Sequence, residues 1–210
     1  MNDKILNITN GDAFNQYFIS KFGGEAVPFR EAMMDGEAVL EIYSDKFIEA
    51  RAIALGVEIE EYKSKMLTNH LCEYSKLNLW FGKDTFCQMN LLTLLAYLEQ
   101  IGYGGEVCLN YIDDETFDVI EANIKVELGI YENLYQKIII NKCKTDDVGI
   151  LLAHSVELFF DYHLNNGILA QFVQENSDRE EMEIIKILLE NSKEYGLSDI
   201  QAQKLIKKYK

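Results

Sequence analysis

Twice in this chain an apolar run of strand length ends in a glycine turn and passes at once into a helical pattern. The first case is Lys4 to Phe18, KILNITNGDAFNQYF, and the second is Leu77 to Leu98, LNLWFGKDTFCQMNLLTLLAYL. Apolar runs this short, punctuated by Asn10-Gly11 or Gly82-Lys83-Asp84 and followed by apolar residues at helical spacing, read as strand–turn–helix units. Two such units predict an α/β fold in which strands alternate with helices and the sheet is mostly parallel. In that architecture the carboxyl ends of the strands lie on one edge, and ligands bind there.

The rest of the chain fits around these units. Lys4–Thr9 reads as strand one. Asp12 is placed to cap a helix from Ala13 to Phe22 that Gly23-Gly24 ends. Glu25–Phe29 reads as strand two, and Pro28, which has no N–H to give to a ladder, assigns it to an edge or to its own end. Helices are expected over Ser44–Leu55 and Glu58–Tyr74, with Arg30–Leu40 irregular between strand two and the first of them. Leu77–Phe81 is strand three. The helix after it, Thr85–Ile101, is apolar nearly all round and therefore belongs in the core. Glu106–Tyr111 is strand four. The reading is thus an α/β domain over residues 1–112, a mostly parallel sheet of about four strands with helices on both faces. A mainly helical region over 113–210 packs on it.

The acidic patch Asp113-Asp114-Glu115 marks the expected change of architecture, and Ile124–Leu128 is open between helix and a fifth strand. Beyond it, Tyr131, Leu134, Tyr135, Ile138 and Ile139 fall on one helical face, and Val148, Leu151, Leu152, Val156 and Phe159 on another. Asn165-Asn166-Gly167 is a break, Glu180–Asn191 a helix, and Ser198 with Gln201 a capping box for the last helix.

Composition narrows the partners. A net charge of -15 over 210 residues argues against nucleic acid and anionic membrane surfaces, since phosphate backbones are held by Lys and Arg. No apolar run reaches the roughly 18 residues of a membrane span. The start MNDKILNITNGD lacks a signal-peptide pattern. Cys72, Cys87, Cys108 and Cys143 are scattered among apolar neighbours without a CxxC, the pattern of reduced thiols in a cytoplasmic protein. P-loop, GxSxG and HExxH motifs are absent. Gly102, Gly104 and Gly105 follow a helix and precede a strand, the reverse of a phosphate cradle. His70, His154 and His163 show no metal-ligand spacing.

Chemistry is therefore sought at the strand ends. Strand one delivers Asn10, Gly11 and Asp12, strand two Arg30 and Glu31, and the turn after strand three Asp84, with Gln88 one helical turn on. Arg30 offers a planar fork to phosphate or carboxylate, and the helix starts after Gly11 and Gly82 offer free N–H groups. These seven residues are the expected binding site for a small polar or phosphate-containing ligand. Two other readings compete. Asp12 and Asp84 together could hold Mg²⁺ for phosphoester hydrolysis. The last helices, with Lys204, Lys207, Lys208 and Lys210, could bind DNA or a protein partner. Asp12, Asp84 and the pair Thr85 and Gln88 also each have a structural role available as helix caps.

At ILNITNGDAFN, VPFREAMMDGEAV and LNLWFGKDTFCQMNLL the chain resembles a bacterial family known as domain of unknown function 1835. That family often shows a strand leading into a Gly-Asp turn, an Arg-Asp/Glu pair followed by a Gly, and an aromatic strand leading into an Asp and a Gln/Asn-Leu-Leu helix. Gly11, Asp12, Arg30, Glu31, Gly36, Trp80, Asp84, Gln88 and Asn90 match those positions. The resemblance covers the first half well, and the second half, including YGLSDIQ, less specifically. Asn7 stands where many members carry a His, and Gly82-Lys83 where they carry an acidic-His pair. The resemblance implies the fold and the positions of the site, and no reaction.

Overall fold

A computed structural model describes residues 4–67, 70–145, 148–149 and 152–210. Among the described residues, five strands form one sheet in the order β2-β1-β3-β4-β5: β1 (Ile5–Asn10), β2 (Ala26–Phe29), β3 (Lys76–Phe81), β4 (Glu106–Ile112) and β5 (Val119–Val126). The first four are parallel, and β5 is antiparallel to β4. The sheet thus continues past residue 112 and has one strand more than expected. The sequence of β5, VIEANIKV, shows why it was obscure: its residues are exposed up to the half-buried Ile124, and Val126 alone is buried. An edge strand with no buried face gives no apolar alternation to read. Pro28 sits in the opposite edge strand, paired with Thr9, as its missing donor requires.

The strands alternate sides. Leu6, Ile8, Leu77, Leu79, Phe81, Val107 and Leu109 face the large core. Helix α1 (Asp12–Phe22) covers the other face, where Phe14 and Phe18 meet Ile112, with Trp80 and Ala26 packed at their margin. On the large-core side lie α2 (Asp45–Leu55) and α4 (Thr85–Gln100). Helix α4 buries Leu91, Leu92, Leu94, Leu95 and Leu98. Each such leucine gains roughly 1.5–3 kcal/mol on leaving water, so packing outweighs helix propensity in holding this segment. Its other face receives α5 (Tyr131–Tyr135) and α6 (Ala153–His163). A π turn, Gln136–Ile140, extends α5 and keeps Ile138 and Ile139 buried. The chain closes with α7 (Ile168–Glu175), α8 (Glu181–Asn191) and α9 (Asp199–Tyr209), the last begun by the reciprocal Ser198–Gln201 capping box.

Three local expectations are corrected. The helix expected over Glu58–Tyr74 is the short α3 (Ile59–Lys65), and after positions 68 and 69, outside the described residues, comes a 3₁₀ turn, Leu71–Glu73. The chain leaves the helix at Met66, with φ -62° and ψ 155°, and the carbonyl of Lys65 takes a hydrogen bond from Arg30 Nη1 at 3.0 Å. Leaving the helix there lets Leu67 and Leu71 both enter the core. Helix α6 starts at Ala153, so Val148 lies before it; Leu151 is outside the described residues. The residue before α1 is Gly11, with Asp12 already in the first turn.

Candidate functional site

The chain runs from β1 outward to β2, then returns across β1 to β3, so the strand order reverses between β1 and β3. Such a reversal splays the connections on either side and leaves a crevice at the carboxyl ends. Two cavities flank it, and Asn10 and Phe86 line both. Asn10 is fixed there. Its Oδ1 accepts from Asn90 Nδ2 at 3.0 Å, and its Nδ2 approaches the Cys87 sulfur at 2.8 Å.

The first cavity measures about 390 Å³. Its polar lining includes Asn10, Gly11, Asp12, Arg30, Glu31 and Lys65; Phe29, Tyr43, Tyr62 and Phe86 supply aromatic walls. Five of the seven expected site residues therefore meet in one place. Gly11 begins α1 with no side-chain cap, so the first N–H groups of the helix start beside this cavity without a capping side chain. Arg30 binds the Asp12 carboxylate through Nε, 2.9 Å from each oxygen, and Nη2, 2.8 Å from Oδ1. Asp12 is thus the partner of Arg30 and not a helix cap, a correction that follows from β2 lying next to β1.

Glu31 turns the other way. Its carboxylate is buried, ion-paired to Arg51 and hydrogen-bonded by the Tyr62 hydroxyl. Burial pushes this carboxyl above its usual range against the pull of Arg51, and pushes the Tyr62 hydroxyl up as well. The Glu31 carbonyl accepts from Asn90 Nδ2 at 2.6 Å, while Asn90 Oδ1 accepts from the Met33 N–H at 3.0 Å. Arg51 and Asn90 together hold the backbone that carries Arg30 to the cavity. Tyr43, another wall, adopts φ 63°, a left-handed conformation uncommon for a bulky residue.

The second cavity, about 1030 Å³, lies at the ends of β3 and β4, beneath α8, α9 and the 3₁₀ turn Lys193–Tyr195 between them. Asp84 is here. It caps α4, its Oδ1 accepting from the Cys87 N–H at 2.9 Å. Gln88 lines neither cavity. It is buried, donating to the Gly82 carbonyl at 2.5 Å and facing the Tyr111 hydroxyl at 3.5 Å. Thr85, expected to share a capping box with Gln88, donates instead to the Glu194 carbonyl at 2.9 Å and ties α4 to the C-terminal region.

Asp12 and Asp84 therefore fall in different cavities. Among the described residues, the acidic and thiol groups that do converge are Asp84, Cys87 and Asp114, with one oxygen or sulfur from each lying within 4.8 Å of the others. Asp114 is seated against Gly82, where a Cβ would fall 1.8 Å from its Oδ2. Desolvation and the neighbouring Asp84, to which it is hydrogen-bonded, push the Asp114 carboxyl up to about 8. Burial and the two carboxylates push the Cys87 thiol up too. The Cys87 sulfur lies 3.5 Å from Asp114 Oδ1, beside the hydrogen-bonded Asp84–Asp114 pair.

Sequence reasoning missed Arg51, Tyr43, Lys65, Cys87 and Asp114. Asp114 stood out only as part of an acidic boundary, and Arg51 lies in a helix where an arginine reads as surface. Among the described residues no helix is long and apolar enough to cross a membrane. No protein-family model, no curated protein and no solved structure matches this chain.

Proposed function

We propose that this chain binds a small molecule with an anionic group, a phosphoryl group above all, on an apolar or aromatic body, at the carboxyl ends of β1 and β2. One observation carries the reading: the uncapped start of α1 and the guanidinium of Arg30 border the same cavity of about 390 Å³, walled by four aromatic rings. That volume is in the range of small-molecule sites. Helix starts and arginine forks both favour anions. The resemblance noted at Gly11, Asp12, Arg30 and Glu31 points to the same positions. Four free thiols, two of them buried, favour a reducing compartment such as the cytoplasm.

The test is a thermal-shift and calorimetric screen with nucleoside monophosphates, sugar phosphates and aromatic phosphates, on the wild type and on Arg30→Ala. A ligand that raises the melting temperature of the wild type and binds Arg30→Ala at least about tenfold more weakly supports the reading. Equal binding by the variant, or no ligand among these classes, overturns it.

A further inference from the structure

Asp12 is an anion already seated on the cation of the cavity. Both of its oxygens lie 2.9 Å from Arg30 Nε, and Oδ1 lies 2.8 Å from Nη2, so one carboxylate fills the face of the fork that a ligand would use. The remaining nitrogen, Nη1, is bound to the Lys65 carbonyl and anchors the guanidinium whether or not Asp12 is in place. Exposure is unequal: the Asp12 side chain is 56% accessible and that of Arg30 34%. Asp12 can therefore swing into water while Arg30 stays.

We infer that Asp12 sets the charge class of the ligand: the cavity accepts a dianionic phosphoryl group and turns away a monocarboxylate. This inference rests on the function proposed above. A ligand carboxylate reaching Arg30 exchanges one carboxylate for another, with the same charge and the same two-oxygen geometry, and it must also be immobilised. The exchange leaves little net gain. A phosphate monoester brings about -1.5 to -2 charges and three acceptor oxygens. It satisfies Nε and Nη2 with two oxygens and has a third for the N–H groups at the start of α1. The other charged groups lining the cavity do not reverse this order. Glu31 is answered by Arg51 and Tyr62, and Lys65 by Glu61, so neither shifts the balance of charge at Arg30. Asp12 thus acts as a resident competitor, and a ligand must carry more charge than Asp12 to displace it.

Phenyl phosphate and benzoate test this, since both offer a ring to the aromatic walls and differ in the head group. Calorimetric or NMR titration is run on the wild type, Asp12→Asn, Asp12→Ala and Arg30→Ala, each first checked for a wild-type circular dichroism spectrum. The wild type is expected to prefer phenyl phosphate by at least about tenfold. Both Asp12 variants should bind benzoate several-fold more tightly and narrow that preference, and Arg30→Ala should lose both probes. A preference unchanged in both Asp12 variants overturns Asp12 as the selector and leaves the Arg30 site standing. Failure of both probes on the wild type and on the Asp12 variants sinks the site and this inference together.

Discussion

Arg51 Nε and Glu31 Oε2 meet at 3.1 Å with their side chains only 1% and 3% accessible to solvent. The other donors of the guanidinium reach the carbonyls of Ala32 at 2.8 Å, Asp35 at 2.8 Å and Glu37 at 3.2 Å. One helical side chain therefore organises an irregular segment that has no ladder of its own. Removing one member of a buried pair strands the other charge. Arg51→Met is expected to cost about 3–5 kcal/mol, and the joint change Arg51→Met with Glu31→Leu to recover much of that loss. Urea unfolding of the two variants checks both figures.

Gly36 lies in that same segment at φ 80°, and a Cβ there would fall 2.2 Å from the Ala54 Cβ. Gly56 has a similar φ of 67° but open space around it. Alanine at Gly56 should cost about 1–2 kcal/mol, the strain of a left-handed residue alone. Alanine at Gly36 should cost measurably more, because α2 must also shift. Equal losses in chemical denaturation would mean that the close approach to Ala54 has no energetic weight.

Asp12 and Asp84 both stand at a helix start after a strand, yet one follows the cap and the other is the cap, so their replacements should behave differently. Asp84→Ala removes the acceptor of the Cys87 N–H and should cost about 1 kcal/mol. Asp12→Ala breaks an exposed ion pair and caps nothing, so its cost should stay between about 0 and 1 kcal/mol. Thermal melts of the two variants decide the order.

The Asp114 carboxyl is raised to about 8 in the folded protein by desolvation and then by Asp84, against about 3.9 for an aspartate in an unfolded chain. Between those two values the folded chain holds a proton that the unfolded chain has released. Stability from this group is therefore complete below about pH 4 and is lost as the pH rises through about 8. Asp114→Asn should flatten that part of the profile. Urea midpoints measured from about pH 5 to about pH 9 for wild type and variant give the comparison. A wild-type slope that survives in the variant would assign it to another group.

The parts of the fold that were legible in the sequence are those written in local chemistry. Asn10-Gly11 and Gly82-Lys83-Asp84 mark real strand-to-helix turns, Pro28 lies in an edge strand, and Ser198 with Gln201 makes its capping box. What was hidden depends on partners far along the chain. Asp12 and Asp84 look alike in sequence, and only the reach of Arg30 from the neighbouring strand separates their roles. Arg51, within EARAIAL, has the pattern of a surface cation until Glu31 is brought to it. Tyr43 carries no sign that its backbone is left-handed. Glu31 was expected in the cavity for its charge, and it contributes as the buried anchor of the segment bearing Arg30.

The two faces of the sheet are unequally held. Helix α1 rests on the small cluster of Phe14, Phe18 and Ile112, separate from the large core that holds α2 and α4. The amide protons of α1 should therefore exchange with deuterium through an opening of that helix alone, at lower free energy than those of α4, which exchange only when the whole domain opens. Anything that grips the first turn of α1 has to close that opening and slow its exchange. The helix that rests on the smaller cluster is thus also the one whose protection should report occupancy of the cavity.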